Sequence, residues 1–298
     1  MKKIIGIFLS TAAFTFYSCT DEAENLDQSE ATSLEIAIDD ASMETTSSLI
    51  MEDIDEAADY AANDFSNASG RVTHKGFGER RYGECATVTE DEEAGTITID
   101  FGEEGCEGLD GRVRKGKIII IHEGEIDVPG FVRTVTLENF SVDSIEIEGT
   151  RVLTYVSGTE EEKKFTTTLT GGKLTFTDGT IATREASHTR IASFDETGEK
   201  TQVIRYGSAE GINREGLVYN NVVEDTNPIL NLSACRSEGV FTPVSGVLSI
   251  NVEGESEKVI DFGDGNCDNL VTITQDGVSE EIEIDPKQRR KRNFRRRG

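Results

Sequence analysis

The chain has 298 residues with no tryptophan, 4 prolines and 29 glycines, a composition that suits strands joined by tight turns. Its 57 acidic residues against 30 basic ones give a formal net charge of -27, which opposes binding to nucleic acid or anionic lipid. The charge is uneven, because every acid precedes Lys287 while eight of the final twelve residues are Lys or Arg.

Lys2 and Lys3 lead into an apolar run, Ile4–Tyr17, that is too short to span a bilayer as a stop-transfer helix. Phe16-Tyr17-Ser18-Cys19 closes it with a small residue directly before a cysteine, the pattern of a bacterial lipobox. The expected reading is a signal peptide over 1–18, removed so that Cys19 becomes an acylated first residue. The partner is then a membrane, reached through the N-terminal lipid.

Residues 19–32 are polar, begin Thr20-Asp21-Glu22, and read as an acidic tether. Over 33–65 the spacing changes. Leu34, Ile38, Ala41, Ile50, Ile54, Ala57, Ala58 and Ala61 recur at three- and four-residue intervals with acids between, which predicts amphipathic helix. With Asp39, Asp40, Glu52, Asp53, Asp55, Glu56 and Asp59 on it, the stripe reads as a packing face and not a surface for anionic membranes. Ser66–Gly83 reads as loop.

From about residue 81 to 286 the period is two, predicting one mainly β domain built as a large antiparallel meander sheet or sandwich. Ile97, Ile99 and Phe101 alternate with polar residues, as do Val135 and Leu137, and Ile145 and Ile147. Ile118–Ile121 is apolar on both faces, which predicts a central strand. Gly171-Gly172, Asp178-Gly179 and Asp276-Gly277 each read as a two-residue hairpin turn with positive φ. Residues 287–298 form a basic tail whose expected state is solvated and disordered.

With Cys19 assigned to the lipid, Cys85, Cys106, Cys235 and Cys267 remain, an even number in an exported chain and therefore two expected disulfides. Of the three pairings, Cys85–Cys106 with Cys235–Cys267 is favoured because each pair brackets a similar stretch. Asp100-Phe101-Gly102 precedes Cys106, and Asp261-Phe262-Gly263 precedes Cys267. The likeness suggests a weak internal duplication, either as two facing sub-sheets or as one long sheet with the same staple at both ends.

The lipobox, the acidic helical preface, Ile-Asp-Phe-Gly before a cysteine, Asp110-Gly111-Arg112-Val113-Arg114-Lys115-Gly116-Lys117, Gly149-Thr150-Arg151 and a closing Asp-Phe-Gly-Asp-Gly-Asn-Cys-Asp together resemble a group of Bacteroidota outer-membrane lipoproteins. The resemblance runs from about Cys85 to Ile284. It implies an outer-membrane address and a β-rich fold, and no activity. Acids directly after the lipidated cysteine also resemble the surface-export signal of that phylum, which implies an outward-facing protein.

Asp261, Asp264 and Asp268, interleaved with Gly263 and Gly265, offer oxygen ligands of the kind calcium takes, although the spacing matches no EF-hand. Asp143-Ser144-Ile145 fits a short O-glycosylation acceptor pattern. The histidines, His74, His122 and His188, stand apart in sequence from any Gly-x-Ser-x-Gly nucleophile turn. No catalytic signature and no resident cofactor are expected. The expected role is a non-catalytic binding or scaffolding module for an unidentified protein or glycan. The competing role is a glycan-binding or glycan-hydrolysing component of a surface nutrient-uptake system, against which the absence of tryptophan weighs.

Overall fold

Period-two alternation produces strands because successive side chains leave the backbone on opposite sides, so one face becomes core and the other faces solvent. The computed structural model describes Met51, Ile54, Ala58 and residues 85–283, except 92, 93, 109, 110, 239 and 241. All of these belong to the larger of two compact units, Ala37–Gly298. The smaller, Met1–Ile36, with the expected leader, Cys19 and tether, lies outside the described residues, as does the basic tail.

The strands are β1 (Thr87–Asp91), β2 (Thr96–Asp100), β3 (Cys106–Glu107), β4 (Val113–Glu123), β5 (Val132–Val142), β6 (Ile145–Gly158), β7 (Glu162–Thr175) and β8 (Ile181–Phe194). They continue as β9 (Lys200–Ile212), β10 (Val218–Val223), β11 (Ile229–Leu232), β12 (Ser245–Val252), β13 (Lys258–Asp264), β14 (Leu270–Gln275) and β15 (Val278–Glu283). A single short helix, α1 (Ser233–Ser237), interrupts this described strand series. The strands form one 15-stranded sheet in the order β1-β2-β4-β5-β6-β7-β8-β9-β10-β12-β13-β14-β15, with β3 against β4 and β11 between β9 and β12. Every pairing is antiparallel, so the expected meander is observed as a single sheet.

One cluster of buried side chains lines one face of this sheet. It includes Val88, Ile97, Ile99, Ile118, Ile120 and Val135 toward the first edge, and Ile250, Ile260, Phe262, Val271 and Ile273 toward the last. Met51, Ile54 and Ala58 are helical and buried in the same cluster, so the stripe read from 33–65 is a packing face at these three positions. β4 does lie inside the sheet, between β2 and β5, as its isoleucine run predicts. Burial on both faces is not observed. Ile118 and Ile120 point into the core, Ile119 is half-buried and Ile121 is exposed, because the second face of the sheet is open.

The turn residues divide into two classes. Asp276 and Gly277 both have positive φ and join β14 to β15 with Gln275 opposite Val278, the expected two-residue turn. Asp143-Ser144, with φ of 50° and 69°, does the same between β5 and β6, at the position of the O-glycosylation acceptor pattern. Asp178-Gly179 lies in a longer turn in which the amides of Phe176 and Gly179 donate to the carbonyls of Thr180 and Phe176, and only Gly179 has positive φ.

Gly171-Gly172 is no turn at all. β7 runs straight through it, and the register against β8 slips between Leu169 and Gly172. The pair is a β-bulge, with Gly171 at φ 63° and Gly172 pressed so close to β8 that a Cβ would lie 2.4 Å from the Arg184 carbonyl oxygen.

Both disulfides have the expected partners, Cys85–Cys106 and Cys235–Cys267, with Cα–Cα distances of 5.4 and 5.1 Å. Each brackets a strand hairpin, β1–β2 or β12–β13, and the Asp-Phe-Gly sequence starts in the hairpin's second strand. Of the two arrangements open from sequence, the structure has one long sheet stapled near each end.

Candidate functional site

The repeated Asp-Phe-Gly stretches have a structural explanation. Phe101 and Phe262 are buried, while the Asp100 and Asp261 carboxylates accept the amides of Gly102 and Gly263 at 2.8 and 2.9 Å. Both glycines have positive φ, so each motif anchors a ring beside a left-handed glycine whose amide the aspartate accepts. Of the calcium candidates, Asp264 accepts from the Asn266 side-chain amide at 2.7 Å and Asp268 from the Leu270 amide at 3.0 Å. Among the described residues no three His, Cys, Asp or Glu side chains converge as a metal-holding group.

At the rim formed by the β7–β8 and β9–β10 turns, Arg214 lies 4.0 Å over the Phe176 ring and pairs with Asp178 at 2.7 Å. Its Nε donates to the Thr180 hydroxyl at 3.0 Å. Asp178 is held below the ordinary carboxylate value of 3.8, first by the Thr180 hydroxyl and amide and then by the Arg214 charge. A depressed carboxyl contributes stability that is present above its unfolded value and lost as pH falls through the folded one. Replacing Asp178→Asn should therefore lower the melting temperature at pH 5, and the gap should narrow as both proteins are acidified below the ordinary carboxylate value of 3.8. A gap that does not change between pH 5 and strongly acidic solution would show that the carboxylate is not its source.

The strongest concentration of unusual side chains lies on the core face of β5–β9. Strand registers place Arg133 opposite Leu153, Arg151 opposite Leu169, His188 opposite Gly207 and Arg190 opposite Arg205. Parity along β8 puts Arg184 on that face as well, in step with His188 and Arg190. Arg133 is 3 % exposed and His188 8 %, whereas Arg151, Arg184, Arg190 and Arg205 are half-buried. Between the β5–β7 bulges and the strand ends, the core-face positions of these five strands hold no Asp or Glu. An Arg205 guanidinium nitrogen lies 3.2 Å from His188 Nε2. A guanidinium only donates, so Nε2 accepts and the ring carries its proton on Nδ1.

His188 is engaged by Arg205, and the His122 ring packs 5.3 Å from Phe131. His74 lies outside the described residues, as does Cys19, the expected lipid site.

The opposite, open face of the same strands is rich in hydroxyls. Thr134, Val152, Thr168, Ser187 and Ser208 form one cross-strand row, flanked by Thr136, Thr150 and Thr170 in the next. Rows repeat every two residues, about 6.7 Å, and strands every 4.8 Å or so. Thr166, Thr168, Thr170, Ser187 and Ser208 are exposed. Among the described residues, no helix is long and apolar enough to cross a membrane. Compared with protein-family models, with curated proteins and with solved structures, the chain matches none.

Proposed function

We propose that the protein is a lipid-anchored module of the outer membrane that binds or scaffolds without catalysis, and that it works through the open face of the sheet. The lipobox ending at Cys19 supports the anchor, and two disulfides suit an oxidising compartment. The resemblance to Bacteroidota outer-membrane lipoproteins supports the same address. The observation that carries the reading is the hydroxyl-lined face of β5–β9: a broad surface of donors and acceptors on long, mutually bonded strands, with the ionisable groups of those strands' core face turned away from it.

The same hydroxyl rows favour a glycan as the ligand in the second reading, since sugars are recognised by dense, paired hydrogen bonds. A glycan-degrading role has no comparable support.

Fractionation of cells expressing the natural chain and Cys19→Ala tests the anchor. The natural chain should sediment with membranes and the variant should not; equal sedimentation overturns lipid anchoring. Trypsin shaving of intact cells then tests orientation. Release of peptides from 85–283 is the outcome expected for a surface module. Protection until the outer membrane is permeabilised would place the module in the periplasm and remove external glycans as ligands.

A further inference from the structure

One cross-strand row on the open face begins at Thr96 on β2 and passes through Ile121, Thr134, Val152, Thr168 and Ser187. It continues from Ser208 on β9 through Val222, Ser249, Val259 and Thr274 to Ser279 on β15. Every strand of the main path after β1 contributes one residue, each of them is Ser, Thr, Val or Ile, and none is buried. In a chain that is 29 % charged, a solvent-facing row of this length without one charge is not a product of composition. Among the described residues, nothing in the protein hydrogen-bonds the hydroxyls of Thr134, Thr168, Ser187, Ser208 and Ser249.

The surroundings of the row narrow what it can hold. In the paired rows on either side, the charged residues are Glu123, Asp261 and Glu281 on one flank and Glu185 and Glu210 on the other, all acids. They repel anionic polymers and a second copy of this acidic chain alike. Adjacent strands are rotated by about 20–25°, so a rigid plane such as a crystal face touches only a few of them. A single flexible chain follows the twist. The row runs for roughly 50 Å across the strands. Along a strand, by contrast, neutral contact ends at Glu185 on β8 and Glu210 on β9, each two residues from the row. The complementary ligand is long, narrow and uncharged, and meets hydroxyl and methyl groups together, as the hydroxyl edges and C–H faces of a sugar chain do.

We infer, resting on the reading of the open face as the binding surface, that this row is the track of a neutral, unbranched glycan lying across the strands. Contacts of this kind select no particular linkage. Each is weak, and affinity comes from many sugars engaged at once. Short oligosaccharides are therefore held poorly.

Native electrophoresis of the full chain in detergent, with hydroxyethylcellulose or amylose in the gel, reads the binding. Both neutral polymers should retard the protein. Carboxymethylcellulose, the first backbone carrying carboxylates, should bind about tenfold more weakly. Cellotetraose at equal sugar concentration should not compete. Thr134→Glu and Ser249→Glu lie about 30 Å apart along the row. Each should weaken binding to hydroxyethylcellulose about tenfold, since each puts a charge under the chain. Ser157→Glu, exposed near the end of β6 and outside the row, should not.

Retardation that cellotetraose abolishes, or that both row variants leave unchanged, overturns the inference but keeps glycan binding. Equal retardation by carboxymethylcellulose overturns the neutral class and the inference with it. Retardation by neither neutral polymer overturns the inference and the glycan reading together. The comparison among polymers uses the natural chain, so it decides the matter even if a glutamate unfolds the sheet.

Discussion

Reduction of the two disulfides should lower the melting temperature by about 20 °C, a larger loss than any single substitution on the surface of the sheet. The links join residues 21 and 32 positions apart, and in the chain-entropy model each removes roughly 3–4 kcal/mol of freedom from the unfolded chain. For a domain of this size, 1 kcal/mol moves the midpoint by about 2–4 °C. The two loops differ enough in length to separate the bridges by only a few tenths of a kcal/mol. Calorimetry of Cys85→Ala/Cys106→Ala and Cys235→Ala/Cys267→Ala, each keeping one bridge, should therefore give two nearly equal drops. A drop confined to the second pair would mean that the first edge of the sheet melts separately, since Cys85 lies just before the edge strand β1 and Cys235 lies in α1.

Gly207→Ala should destabilise the sheet by about 3 kcal/mol, the sum of backbone strain and a forced contact. Gly207 sits in mid-strand on β9 at φ 136°, a conformation that favours glycine. A Cβ there would lie 2.3 Å from the Ser187 carbonyl oxygen and 2.8 Å from the His188 Cα, both backbone atoms that cannot swing aside. The same methyl would meet the His188 ring at 3.2 Å, on the residue that accepts from Arg205. Urea unfolding of the variant measures the loss. A change below 1 kcal/mol would mean that β8 and β9 can separate locally at no great cost. Gly254→Ala is the comparison, because its Cβ would meet no atom within 4 Å although its φ of 83° still carries strain.

The sheet was legible in the sequence where the signal is local. Asp276-Gly277 announces its turn because both central residues of a two-residue hairpin need positive φ, and Asp and Gly tolerate it. The same chemistry misleads at Gly171-Gly172, since a bulge needs a left-handed glycine as much as a turn does. What separates the two is whether the chain reverses, and that depends on the partner β8, which begins ten residues later. The disulfide pairing was readable because Asp100-Phe101-Gly102 and Asp261-Phe262-Gly263 mark equivalent hairpins. The one-sided burial of Ile118–Ile121 was not readable, as an apolar run does not reveal that its outer face stays open.

The arginine-bearing face lay further beyond reach. Arg133, Arg151, Arg190 and Arg205 come from four strands, and only the register between those strands brings them to one side. A period-two reading of Arg184, His188 and Arg190 does put those three on one side of a strand. Nothing in the residues says that this side is the core, because solvated faces carry arginine far more often.

The order of strands in the sheet bears on how the chain reaches its native state. Nearly every strand pairs with the one that follows it, and the principal departure is β11, which leaves β10 bonded to β12 and returns alongside β9. Contacts are thus close in sequence for an all-β protein, and such low contact order lessens the entropy lost before the first stabilising contacts form. A hairpin such as β14–β15 or β7–β8 can assemble as soon as its own residues are available, and each later strand adds to an existing edge. Both disulfides close within single hairpin regions and so demand no long-range search. With this order the sheet can grow from either end without waiting for the other, so a partly available chain already has a folded edge to build on.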